Sequence, residues 1–204
     1  YGVSDADKVT EDTDLNPISE YNKTKMCAER ILLSYSDRMK VQIIRPATVC
    51  GYSERMRLDV AVNLLTMQAL EKGVITVLGG NQIRPNIHID DITDLYLFFI
   101  ENNNLTGIFN AGFENISILD IAKMIQKELG AQIVVKASND PRSYRLNSDK
   151  LLKTGFKPKK GVKNAINEIC HLYNEKKLIN SEYFHNLKWM KNHILVKNSV
   201  KNTG

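Results

Sequence analysis

From Pro17 to Ala137 the chain switches between helix-length stretches and short β-branched runs, and Gly or Pro stands at most of the switches. This alternation limits the fold more than any other feature of the sequence. Parallel strands cannot be joined by a tight turn; they need a long crossover, which is usually a helix. After Asn16-Pro17, ISEYNKTKMCAERILLSYSD has a helical pattern, with Ile18, Tyr21, Met26, Ala28, Ile31, Leu32 and Leu33 as its apolar positions. VQIIR at 41–45 reads as a strand, which Pro46 ends. A helix from about Leu58 to Lys72 is closed by Gly73, and a strand and turn follow at 74–80. RPNIHIDD at 84–91 is a short extended piece feeding the helix DDITDLYLFFIENN, whose Asp residues suit a helix start. A third strand is expected at 107–112, a helix over ISILDIAKMIQKELG ending at Gly130, and a fourth strand at 131–137. The expectation is an α/β fold with mainly parallel pairing.

Composition narrows the setting. A chain of 204 residues with 43% hydrophobic residues can bury a substantial core. The most apolar run, LYLFFI at 95–100, is bounded by Asp94 and Glu101 and falls far short of the roughly 20 residues needed to cross a bilayer. The opening YGVSDADK lacks the basic and apolar regions of a secretory signal. Cys27, Cys50 and Cys170 are widely spaced without a CxxC pair, which fits reduced thiols in a cytoplasmic protein better than a disulfide frame or a zinc site. The formal charge of +5 hides an asymmetry, because residues 150–204 carry twelve Lys against Glu168, Glu175 and Glu182. No arginine follows Arg145, and Arg is the residue best suited to bidentate base and phosphate contacts. The basic end therefore reads as a solvated lysine-rich tail and not as a nucleic-acid site.

Within the first helix, YNKTK places Tyr21 and Lys25 four residues apart, on one helical face, where a phenol and an ammonium can reach a common target. Spacing alone is cheap: Tyr173 and Lys177 repeat it in YNEKK. Only the first pair is followed in order by RPATVCG at the end of a strand and then by RPNIHIDD. Dinucleotide-binding sheets normally open with a strand, a glycine-rich turn and a helix. Nothing in the chain matches that fingerprint, so the sequence reads as beginning partway through a larger domain.

The ordered motifs YNKTK, RPATVCG and RPNIHIDD, with the opening YG some 20 residues before Tyr21, resemble the C-terminal part of an extended short-chain dehydrogenase/reductase. Within that superfamily the resemblance is to the NAD-dependent epimerase/dehydratase branch acting on nucleotide sugars, and it runs from Tyr1 to about Cys170. It implies the C-terminal part of a doubly wound, Rossmann-type parallel sheet plus a small α/β substrate-binding subdomain. Residues 1–52 and 84–112 would belong to the dinucleotide-binding domain, 53–83 and 113–170 to the subdomain, and 171–204 to the basic tail. It also implies bound NAD or NADP, a nucleotide-diphosphate sugar as substrate, and a homodimer formed through the Tyr21 helix and the Leu58 helix.

The chemistry explains why such a family needs the pair. A free phenol is only about one-thousandth ionised at pH 7, and a cation about 4–6 Å away lowers its pKa by roughly 1–3 units. By resemblance, Tyr21 takes the proton of a sugar hydroxyl while hydride leaves the same carbon, commonly C4, for the nicotinamide. Lys25 activates it and hydrogen-bonds the nicotinamide ribose. Pro46 and Ala47 would border the carboxamide and Thr48 would face the substrate. Asn63, Arg84 and Arg142 would hold the diphosphate end, with Arg145 a further candidate near the nucleotide. A Ser or Thr upstream of the opening YG, the glycine-rich turn and the acidic residue that reads the ribose would lie before Tyr1.

His88, Asp90 and Asp91 form a lone H-x-D-D without a second histidine, so helix capping explains them better than a metal. His171, His185 and His193 are expected at the surface without partners. Two other readings stay open at this point. One is a dehydrogenase of the same superfamily with a non-nucleotide substrate; the other is a non-catalytic interaction protein.

Overall fold

The computed structural model describes residues 1, 8–138, 140 and 143–195. Its elements run α1 (Glu20–Leu33), β1 (Gln42–Pro46), β2 (Thr48–Cys50), α2 (Ala61–Lys72), β3 (Val74–Leu78), β4 (Ile83–His88), α3 (Ile89–Glu101) and β5 (Gly107–Ala111). There follow β6 (Glu114–Ser117), α4 (Ile118–Leu129), β7 (Gln132–Lys136), α5 (Asp149–Leu152), α6 (Val162–Asn174) and α7 (Asn186–Met190). β1 pairs with β5, β2 with β4 and β3 with β7, all parallel, while β6 runs antiparallel to β4. The alternation seen in the sequence thus becomes an α/β fold with mainly parallel pairing, in which β3 and β7 form the sheet of a smaller α/β unit.

Two helix–glycine–strand units build that smaller part. α2 ends at Gly73, whose left-handed φ of 63° returns its N–H to the Ala69 carbonyl and turns the chain straight into β3. A side chain would resist this conformation, and glycine does not. α4 ends in the same way at Gly130 and enters β7. The two exits lie side by side, since Gln132 N–H donates to the Gly73 carbonyl and β3 pairs with β7 from Val74↔Gln132 to Leu78↔Lys136.

Between β1 and β2 the chain changes partners. Ala47 N–H still donates to the Ala111 carbonyl of β5, and from Thr48 onward the pairing is with β4. One apolar core lies under this switch, with Leu95, Phe99 and Phe109 joined by Leu146, Leu151 and Phe156. A second, with Val62, Leu65, Ile75, Ile121, Ile125 and Ile166, holds α2, α4 and α6 around β3. Each such side chain contributes about 1.5–3 kcal/mol on burial.

Several details differ from the sequence-based expectation. α2 begins at Ala61 because the residues before it have tertiary work: Leu58 is fully buried and its N–H donates to the Phe184 carbonyl. The start of ISILDIAKMIQKELG is spent on strand β6 before α4 opens at Ile118, capped by the Ser117 hydroxyl. The stretch read as a tail is folded as far as residue 195, with Leu178 and Phe184 in a third apolar cluster beside Met56 and Leu58. The tail histidines have partners: His171 with Glu175, His185 with Asn180, and His193 stacked on Trp189. Most unexpectedly, α1 buries none of its residues. Ile31 and Leu32 remain 60% and 48% exposed, because no other described element of the chain covers that side of the helix.

Candidate active site

α1 is fixed at its ends. The Ser19 hydroxyl accepts the Asn22 N–H, Glu20 sits in the first turn and Arg30 in the last, each charge opposing the helix dipole. Along it, Tyr21 and Lys25 come together as their spacing requires, with Lys25 Nζ 5.5 Å from the centre of the Tyr21 ring. The Tyr21 ring is 67% exposed and stands at the edge of a cleft of about 500 Å³. Lys25, Glu29, Arg45, Pro46 and Tyr144 line the same cleft. It opens beside the C-terminal end of β1, the end at which parallel α/β sheets hold ligands.

A polar network forms one wall. Arg45 Nε and Nη2 donate to both carboxylate oxygens of Glu29, at 2.9 and 2.5 Å, and both side chains are largely shielded from solvent. Arg45 Nη1 donates to the Tyr1 hydroxyl at 2.6 Å, and that hydroxyl donates to Asn110 Oδ1. Burial opposes the Arg45 charge, but the bonds to Glu29 and Tyr1 outweigh it and hold the guanidinium above its ordinary pKa. Burial likewise pushes the Tyr1 phenol up, against the pull of Arg45.

Other residues singled out in the sequence are distributed around this cleft. Ala47 is buried behind Pro46. Thr48 opens β2 opposite Asn86, half-buried. Asn63 is 2% exposed and its amide is taken up by the loop before α2: Oδ1 accepts the Gly51 N–H and Nδ2 donates to the Arg57 carbonyl. Arg84 pairs with Asp140 at 2.8 Å. Arg142 lies outside the described residues, and Arg145 is exposed with its carbonyl accepting the Val9 N–H. Tyr21, Lys25 and Pro46 therefore share one cleft, which Thr48, Asn63 and Arg84 do not line.

The HIDD stretch joins layers. His88 is fully buried, its Nδ1 accepts the Asp90 N–H to cap α3, and its Nε2 lies 3.4 Å from Glu168 on α6. Asp91, expected to cap its own helix, instead accepts the N–H groups of Lys159 and Lys160 just before α6. Glu29 was not anticipated from the sequence, although its place one turn beyond Lys25 on the same face was a usable signal. The Cys50 thiol, 1% exposed, is pushed up to about 12 by burial and by Glu114, and is inert as a nucleophile.

The residues lining the cleft suit the nicotinamide end of a dinucleotide: a phenol, an ammonium and the Pro46 turn at a strand end. A glycine-rich strand-to-helix turn for the pyrophosphate does not occur in the sequence.

A parallel sheet whose C-terminal mouth carries a Tyr–Lys helix defines a Rossmann-type α/β protein. The chain belongs to the NAD dependent epimerase/dehydratase family, which matches residues 1–112. Among its relatives is a UDP-glucose 4-epimerase of Lactobacillus helveticus, 26% identical over an alignment of 185 residues that covers 78% of this chain and 56% of that protein. A UDP-glucose 4-epimerase of Streptococcus mutans is also 26% identical, covering 78% of this chain and 55% of the relative. Among solved structures, the UDP-glucuronic acid 4-epimerase of Bacillus cereus, in complex with UDP-glucuronic acid and NAD, is 29% identical with a TM-score of 0.72. That match covers 85% of this chain and 59% of that one. The chain spans about half the length of the curated relatives it matches.

Proposed function

We propose that this chain is the C-terminal portion of an NAD(P)-dependent nucleotide-sugar epimerase or dehydratase of the extended short-chain dehydrogenase/reductase type. The observation that carries the reading is the placing of Tyr21 and Lys25 one turn apart in a single cleft with Pro46, at the ligand end of β1. Tyr21 serves as acid and base, exchanging a proton with a hydroxyl on the reacting sugar carbon, commonly C4. Lys25 favours the phenolate by its charge and orients the cofactor ribose. When bound, the nicotinamide supplies the acceptor and donor of the hydride. Arg84 grips the substrate diphosphate, which takes the place of the Asp140 carboxylate, and a guanidinium fork suits either partner. Thr48 faces the sugar, and Asn63 contributes by shaping the Gly51 loop.

In this reading residues 1–52 and 84–112 complete a dinucleotide-binding domain with preceding chain, and 53–83 and 113–170 supply the substrate side. The enzyme works in the cytoplasm in carbohydrate biosynthesis, as a homodimer. The bare apolar side chains of α1 support a covered helix in the assembled protein. The test is turnover of UDP-sugars by the natural full-length protein with NAD, together with UDP binding by calorimetry. Epimer or dehydrated product forms, and Arg84→Ala weakens UDP about tenfold or more. UDP binding unchanged by Arg84→Ala, with turnover of a non-nucleotide alcohol instead, would overturn the substrate class.

A further inference from the structure

We infer that Glu29 and Arg45 are positioning residues for the Tyr21–Lys25 pair, an inference that rests on the catalytic reading of that pair. α1 has no buried residue to lock its rotation or its height over the sheet. Among the described residues, its side-chain hydrogen bonds to the sheet come from Glu29, whose two oxygens receive Arg45 Nε and Nη2. A bidentate pair fixes direction as well as distance, because the planar fork matches the carboxylate in one orientation. Glu29 lies one turn beyond Lys25 and two beyond Tyr21 on the same face, so a helix held there presents the pair to the cleft.

The other end of the tie is also immobile. Arg45 sits next to the last residue of β1, in register with Asn110 of β5. Its Nη1 donates to the Tyr1 hydroxyl, which in turn donates to Asn110, a residue with no exposure at all. Asn110 N–H donates to Glu11 Oε1, and Arg45 Nη1 also reaches the Glu11 carbonyl. The catalytic helix is thus referenced to two paired strands through a chain of hydrogen bonds and not through apolar packing. A displacement of about 1 Å at a reacting group can cost about a hundredfold in rate, so the tie sets kcat without touching substrate.

The experiment uses the natural full-length protein and four variants: Glu29→Gln, Arg45→Lys, Tyr21→Phe and the double variant Glu29→Gln with Tyr21→Phe. Glu29→Gln is expected to lower kcat by about ten- to hundredfold with KM for the nucleotide sugar within about twofold. It is expected to add no further loss once Tyr21 is Phe, since it acts through that phenol. Arg45→Lys keeps the charge and loses the fork, and is expected to show the same split should Glu29→Gln fold poorly. Amide exchange over residues 24–33 should quicken in both single variants, a readout independent of turnover. Full kcat in both, an undiminished Glu29→Gln penalty in the Tyr21→Phe background, or unchanged exchange in α1 overturns the inference. Full activity of Tyr21→Phe, with α1 exchange still quickened by Glu29→Gln, overturns instead the catalytic reading and leaves the tie standing.

Discussion

Gly51 follows β2 with φ at 102°, and replacing it with alanine tests how firmly the His88 layer is set. The added Cβ would lie 2.8 Å from His88 Nε2, 3.2 Å from His88 Cε1 and 3.0 Å from Ile89 Cγ2. The ring cannot step aside cheaply: it is fully buried, and its Nδ1 holds the N-terminal cap of α3. The left-handed backbone costs about 1–2 kcal/mol for alanine and the crowding about 1–3 kcal/mol more, for a loss of about 2–5 kcal/mol. With a urea m-value of about 2 kcal/mol per molar, the midpoint falls by about 1–2.5 M. Gly73→Ala provides the reference, because φ there is 63° and nothing lies within 4 Å of the added carbon. Only the backbone cost applies, so its midpoint falls by about 0.5–1 M. Urea unfolding followed by far-UV circular dichroism measures both. Equal midpoints for the two variants would refute the claim that His88 is an immovable wall behind Gly51.

The Cys50 thiol gives a pH prediction. Its folded value is raised from 9.0 to about 12, chiefly by burial, so the neutral form is the stable one in the fold. The associated stability is fully present below pH 9 and is lost as the pH climbs towards 12, by at most about 4 kcal/mol. Cys50→Ala should flatten the alkaline limb of a stability-against-pH curve, and an unchanged limb would assign it to other groups. Thiol labelling at pH 8 should modify the exposed Cys27 fast and the buried Cys50 and Cys170 only on unfolding; rapid loss of a second thiol would contradict the burial. The bare side of α1 should make the isolated chain self-associate. Replacing Ile31 and Leu32 by Lys should reduce concentration-dependent association by sedimentation, and no change would place the contact elsewhere.

Much of the fold was legible because punctuation carries it. Gly73 and Gly130 mark the two helix-to-strand exits where the structure has them, and Pro46 marks the end of β1. The Tyr21–Lys25 juxtaposition follows from helical geometry alone. What was not legible depends on distant partners. Leu58 looked like a helix residue and is held out of α2 by Phe184, more than a hundred residues away in the chain. Asp91 looked like a cap for its own helix and serves the segment before α6. Asn63 looked available to a ligand and is spent on Gly51 and Arg57. Glu29 and Arg45 are ordinary surface types in sequence, and only the approach of α1 to β1 turns them into a shielded pair.

The most direct test of the central claim follows one hydrogen atom. The natural full-length protein is given a UDP-sugar carrying deuterium at C4, in ordinary water with NAD, and substrate and product are analysed by mass spectrometry. If Tyr21 handles the hydroxyl proton while the nicotinamide carries the hydride, deuterium stays in the sugar, back on C4 in an epimer or moved to the carbon that loses its hydroxyl in a dehydrated product, and Tyr21→Phe slows turnover about a hundredfold or more. Washout of the label into water, or a Tyr21→Phe variant as fast as the parent, would contradict the account.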